Sequence, residues 1–263
     1  MPILLLKLFL APALVVSSTL AGRRWGPGVA GILVGQPVVA GPILFITYLQ
    51  HGAGFAGAAA SASLLGLVSL AAFAVLFARM ARRFRWPAAL TAGWAGVLAL
   101  DAALSAVRLP VLGALAVTLA ATAAAMILMP RPGPGRSGEP APPPPSWDLP
   151  GRAAATGALV LAVTTASGAL GPHWTGLLAP FPIALSVMAT FVHAQRGPAQ
   201  TARTLSGAVM SLAGFAAFCV TAAFGLRPLG GAAFGLGAVA TLAVQLLAAR
   251  ARRFVLTGTG DRL

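Results

Sequence analysis

The chain has 263 residues, of which 58% are hydrophobic and only 8% charged, whereas a soluble globular protein carries about 25% charged residues. Its net charge of +14 does not mark a nucleic-acid binder, because the basic residues stand in short clusters between apolar runs rather than on one polar stripe. The single cysteine, Cys219, excludes a disulfide framework within the chain and any cysteine-rich metal site.

A helix needs about 20 mainly apolar residues to cross a bilayer. In chain order, the apolar windows predict spans at 3–21, 28–49, 55–78, 87–106, 110–129, 153–170, 174–194, 204–224 and 229–249. The first of them, "MPILLLKLFLAPALVVSSTLAG", also has the look of a cleaved signal peptide with Lys7 as its basic region. A matching segment deep in the chain argues against that reading. The long polar stretch from Pro130 to Arg152, "PRPGPGRSGEPAPPPPSWDLPGR", is proline-rich and reads as an extended linker between two membrane halves. Nine spans place fifteen of the 18 basic residues on one side and leave Lys7, Arg108 and Arg227 on the other. Positive loops stay cytoplasmic, so the expected N-terminus is outside and the C-terminus inside.

The two halves repeat each other. Gly26-Pro27, Gly31, Leu33 and Pro37 recur 145 positions later as Gly171-Pro172, Gly176, Leu178 and Pro182. Carried without gaps from Gly26 to Ala78, that offset gives 14 identities in 53 pairs, among them Gln50 with Gln195, Gly52 with Gly197 and Phe73 with Phe218. Each copy holds four spans and a fifth lies between them, so the second copy enters the membrane inverted. Inverted repeats of this kind underlie many secondary transporters.

Pro37 falls near the middle of the second span, and Pro182 takes the same place in the seventh. Gly35 and Pro42 loosen the first copy further, and Pro180 and Ser186 the second. Proline removes a backbone donor and clashes with the preceding turn. Non-helical backbone at membrane depth is tolerated where protein or a watery cavity satisfies it. Paired breaks in two inverted halves therefore point to a central site, although kinks that only shape packing are the plainer reading. Gln36, Pro37, Pro180 and Pro182 are the candidate substrate-binding residues, and Gln36, aligned with Phe181, is the candidate for an asymmetric polar contact.

The second copy, "GLLAPFPIALSVMATFVHAQ" from Gly176 to Gln195, resembles the GlpM-like family of small bacterial inner-membrane proteins in its glycine-leucine and proline-phenylalanine-proline pattern. The likeness spans about one repeat, from Arg152 to Phe224. It implies a four-helix unit in the cell envelope, linked to exopolysaccharide production, and brings no catalytic residues. The first copy departs from it, with Gly35-Gln36-Pro37 in place of Pro180-Phe181-Pro182.

Asp101 is the only acidic residue inside a predicted span, and an ionisable group there is a candidate for proton or cation coupling. Ser105 shares its helix face and Arg108 is within reach of it, so an interfacial structural role competes. Its repeat counterpart is Leu246, which excludes a symmetric role. Tyr48 and His193 are equivalent positions near span ends, where aromatic side chains favour the membrane interface. His51 and His173 read as loop residues, and the three histidines lack metal-ligand spacing. No nucleophile elbow, phosphate loop or dinucleotide fingerprint is present, so no enzyme, cofactor or metal is expected. Gly54, Gly57, Ala58, Ser61 and Ser63 allow close helix approach, within the chain or with a second copy as a homodimer.

The resulting expectation is an all-α polytopic helical bundle of nine transmembrane helices: a first repeat at 1–107, a linking helix at 108–129, a cytoplasmic linker at 130–150, a second repeat at 151–249 and a basic tail at 250–263. Its partners are the lipid bilayer and a small solute. A secondary transporter or exporter in the bacterial inner membrane is the first functional reading. A non-transporting scaffold for envelope or exopolysaccharide assembly is the second.

Overall fold

A computed structural model describes residues 2–37, 40–131, 144–170 and 181–258. Every element in it is a helix: α1 (Pro2–Trp25), α2 (Pro27–Val34), α3 (Ala40–Met80), α4 (Trp86–Ser105), α5 (Val111–Leu128), α6 (Asp148–Leu170), α7 (Ile183–Leu229) and α8 (Ala232–Gly258). Four of these, α3, α4, α5 and α7, are long and apolar enough to cross a membrane. Large apolar side chains also stand exposed on the outer faces, including Ile127 on α5 and Leu112, Leu242 and Leu247. In water such surfaces would drive association; against acyl chains they are at home. Length, composition and surface fit a multi-pass integral membrane protein.

Among the described residues eight helices stand where the sequence predicts nine spans, and part of the reason is local. A 41-residue α3 drawn straight would run about 60 Å, twice the hydrocarbon core of about 30 Å. It does not run straight. Gly52 has φ 80° and ψ 176°, a conformation that a side chain resists and glycine accepts, and the helix doubles back there without a loop. Gly41 lies beside Phe218, Tyr48 beside Gly230, and then Gly57 returns beside Ala223. The 47-residue α7 is interrupted the same way at Gly197, with φ 76° and ψ −177°. Thus α3 joins the end of the expected 28–49 span, whose start is α2, to the 55–78 span, and α7 joins the end of the 174–194 span to the 204–224 span, while residues 174–180 lie outside the described residues.

The later halves of α3 and α7 form the centre. Phe73, Phe77, Leu64, Leu67, Leu205, Leu212 and Leu226 are fully buried there, in a single apolar cluster. Small residues let the neighbours close in. The Phe73 ring covers Gly93 of α4, and the Phe218 ring covers Gly237 of α8. At Gly31 and Gly207 the backbones of α2 and α7 nearly touch: a methyl at Gly31 would overlap the Thr204 carbonyl, and one at Gly207 the Gly28 carbonyl. The expected linker ends early, since α6 already begins at Asp148.

Candidate functional site

The break at Pro37 is built from the sequence around it. α2 starts with proline at its first position and stops at Val34, because Pro37 has no amide hydrogen to continue the ladder. The Gly35 amide still donates to the Gly31 carbonyl at 3.0 Å and that of Gln36 to Leu33 at 3.3 Å, and the Pro37 carbonyl accepts from Gly41 at 2.6 Å, where α3 has begun. Gly35 and Pro37 are buried and Gln36 is half-buried. Gly35 is there because a methyl would strike the Ser211 hydroxyl on α7.

Gln36 and Pro37 form part of the wall of a groove of about 690 Å³, open to the outer face beside the exposed Phe45 and Leu242 and lined also by Leu10, Phe218 and Phe234. The rings set its shape: Phe45 meets Phe234 edge-on at 5.3 Å between centroids, and Phe218 lies 6.2 Å from Phe234. The groove's wall is apolar apart from the Gln36 carboxamide and the Thr241 hydroxyl.

Pro182 caps α7 with φ −74° and ψ 48° and is buried; Pro180 lies outside the described residues, as does His173. Phe181 stacks against Trp94 at 6.1 Å, and the Trp94 indole donates to the Ser186 hydroxyl at 2.9 Å. Beside them a second cleft, of about 440 Å³, runs between α4, α6 and α7, walled by Trp94, Leu159, Ser186 and Phe191. Pro182 does not line the Gln36 cleft, so the two prolines are set in separate surroundings rather than facing one shared chamber.

Asp101 belongs to neither cleft. It is buried on α4 and accepts from the Ser69 hydroxyl of α3 at 2.5 Å. Sequence spacing pointed to Ser105 and Arg108 as its neighbours. Ser105 turns its hydroxyl to the Ala102 carbonyl, and Arg108 lines an outer groove with Phe55 and Leu104. His51 stacks on Phe55 at 4.7 Å, and His193 meets the Phe77 ring at 6.1 Å. Tyr48 packs with Phe45 and Phe234.

One cluster was missed in the sequence. Asp148, counted as linker, is buried at the start of α6. Its Oδ2 accepts from Arg23 of α1 at 2.7 Å, and its Oδ1 from Arg152 at 2.9 Å and from the Gln195 amide at 2.5 Å. Burial alone would raise the Asp148 carboxyl, but the Gln195 amide and the Arg152 and Arg23 guanidiniums outweigh it and hold the carboxyl below the usual range. Arg152, itself buried, also points a nitrogen at the Met188 sulfur, 3.3 Å away. The signal available was the Asp148–Arg152 spacing of four at a span's start, in a chain with four acidic residues in all.

Compared with family models, with curated proteins and with solved structures, the chain matches none.

Proposed function

We propose that the chain is an inner-membrane secondary transporter or exporter of a small solute, made of two inverted copies of a four-helix unit joined by α5. The observation that carries this is the interrupted helix at Gly35–Pro37, inside an apolar stretch, with Gln36 and Pro37 in the wall of an apolar cleft. Broken helices in inverted halves are where transporters bind solute.

Three features support the duplication. The offset of 145 carries Gly52 onto Gly197, two glycines with nearly the same backbone angles. It carries Phe73, laid over Gly93, onto Phe218, laid over Gly237, one position before the Gly93 counterpart Ala238. It also carries Leu10, Gly41 and Phe45 of one cleft onto Ala155, Ser186 and Thr190 of the other. If each positive-φ glycine ends a crossing, and α2 continues into the first part of α3, the crossings number nine. The N-terminus is then outside, and Arg23, Arg79 and Arg196 are cytoplasmic by the charge rule. The likeness of the second copy to the GlpM-like family adds an envelope setting.

The test is a melting-temperature screen of purified protein against metabolites and ions, followed by uptake into proteoliposomes of any compound that stabilises it. Gln36→Ala should weaken binding of that compound three- to tenfold, on the order of one hydrogen bond, and Pro37→Ala should lower transport while the protein stays folded. Transport untouched by both variants would remove the cleft from the account. A co-purifying envelope protein with no stabilising compound would favour the scaffold.

A further inference from the structure

We infer that the cleft between α4, α6 and α7 is a binding site for one phospholipid with a net-negative head group, distinct from the Gln36 cleft. Its wall is apolar and aromatic, with Trp86, Leu90, Trp94, Leu159 and Phe191 around about 440 Å³, a size that accepts a substantial apolar group. One end of it adjoins the Asp148 cluster. Gln195 lines both the cleft and the polar pocket, the Arg152 guanidinium sits 4.8 Å over the Phe191 ring, and Trp147 lies 6.0 Å from that same ring. Trp86 and Trp147 stand 40% and 58% exposed, as tryptophans do at the level of lipid head groups.

Charge selects the occupant. Arg23, Arg152 and Arg196 surround the polar pocket and Asp148 is its only acid. Both Asp148 oxygens are already engaged. An Arg152 nitrogen is left with the Met188 thioether, a weak acceptor. Arg23 and Arg196 add two exposed positive charges to the polar pocket that shares Gln195 with the groove, and a phosphate balances them while its acyl chain fills the groove. Basic pockets between membrane helices bind anionic head groups in this way. The polar pocket holds only about 30 Å³, room for a water, so the phosphate sits at its edge beside Arg196, which is exposed, and Arg23. Among the described residues the Gln36 cleft has no arginine or lysine in its wall and carries no such preference.

The experiment compares melting temperatures of detergent-purified protein with phosphatidylglycerol, with phosphatidylcholine of the same chains, and with glycerol phosphate alone, alongside native mass spectrometry. Phosphatidylglycerol should raise the melting temperature and one molecule should stay bound, while the other two should do neither. Ala155→Phe, which fills the groove and leaves every charge in place, should abolish the effect, and Arg196→Gln should weaken it. Leu159→Trp is the second filling variant if Ala155→Phe does not fold. Equal shifts from both lipids, a shift from glycerol phosphate alone, or an undiminished shift in the filled variant would overturn the assignment.

Discussion

Asp148→Asn should destabilise the folded protein by about 3–5 kcal/mol, the usual loss when one member of a buried ion pair is removed. The amide keeps the shape but leaves Arg152, 3% exposed, without its counter-charge, and takes from Arg23 its 2.7 Å partner. Because those partners lie on α1, α6 and α7, the change loosens three helices together. Replacing both ends, Asp148→Leu with Arg152→Leu, should recover much of the loss, since apolar substitutes for buried pairs are often neutral. The pH dependence has a fixed sign. The carboxyl is held below its ordinary value, so its contribution is complete above the unfolded pKa of about 3.9 and is lost as pH falls through the lower folded value. Melting curves in detergent should show a constant gap between wild type and Asp148→Asn above pH about 4, narrowing in stronger acid. A gap that widened in acid would refute the assignment.

Gly31→Ala and Gly207→Ala should each cost about 1–3 kcal/mol or more, the range for forcing extra volume into a packed interior. At both positions the added carbon meets backbone, the Thr204 carbonyl in one case and the Gly28 carbonyl in the other. Backbone cannot swing aside as a flexible side chain does, so α2 and α7 must separate. Helix propensity acts the other way, favouring alanine over glycine by about 1 kcal/mol, which gives the experiment an internal control. Gly54 and Gly157 are helical and have nothing within 4 Å of the added carbon, so alanine there should be neutral or stabilising. The double variant Gly31→Ala with Gly207→Ala should cost less than the sum, because both relieve strain by the same separation. Equal effects at all four glycines would refute the close approach.

The all-helical, multi-pass character was legible in the sequence because long apolar windows between arginine clusters have few other uses in water. The interruption at Pro37 was legible for a similar reason, as proline cannot donate to the helix ladder wherever it stands. The turns at Gly52 and Gly197 were readable as ends of apolar windows but not as loop-free reversals, which depend on one φ angle each. The side-chain partnerships were hidden. Asp101 pairs with Ser69, 32 residues back, although Ser105 is the closer residue in sequence. Arg23 reaches Asp148 across 125 positions, and only the way α1 lies against α6 brings them together. The two clefts were hidden as well, since the Leu10–Phe234 and Leu90–Leu159 walls are assembled from distant segments.

The proposed inverted duplication is tested most directly at the turns at Gly52 and Gly197. With Cys219→Ala as background, single cysteines at His51 and Arg196, each next to its positive-φ glycine and exposed, would be probed in intact cells with a membrane-impermeant maleimide. The His51 position should be labelled from outside, and the Arg196 position only after the membrane is opened. Labelling of both positions from the same face would contradict the inverted duplication.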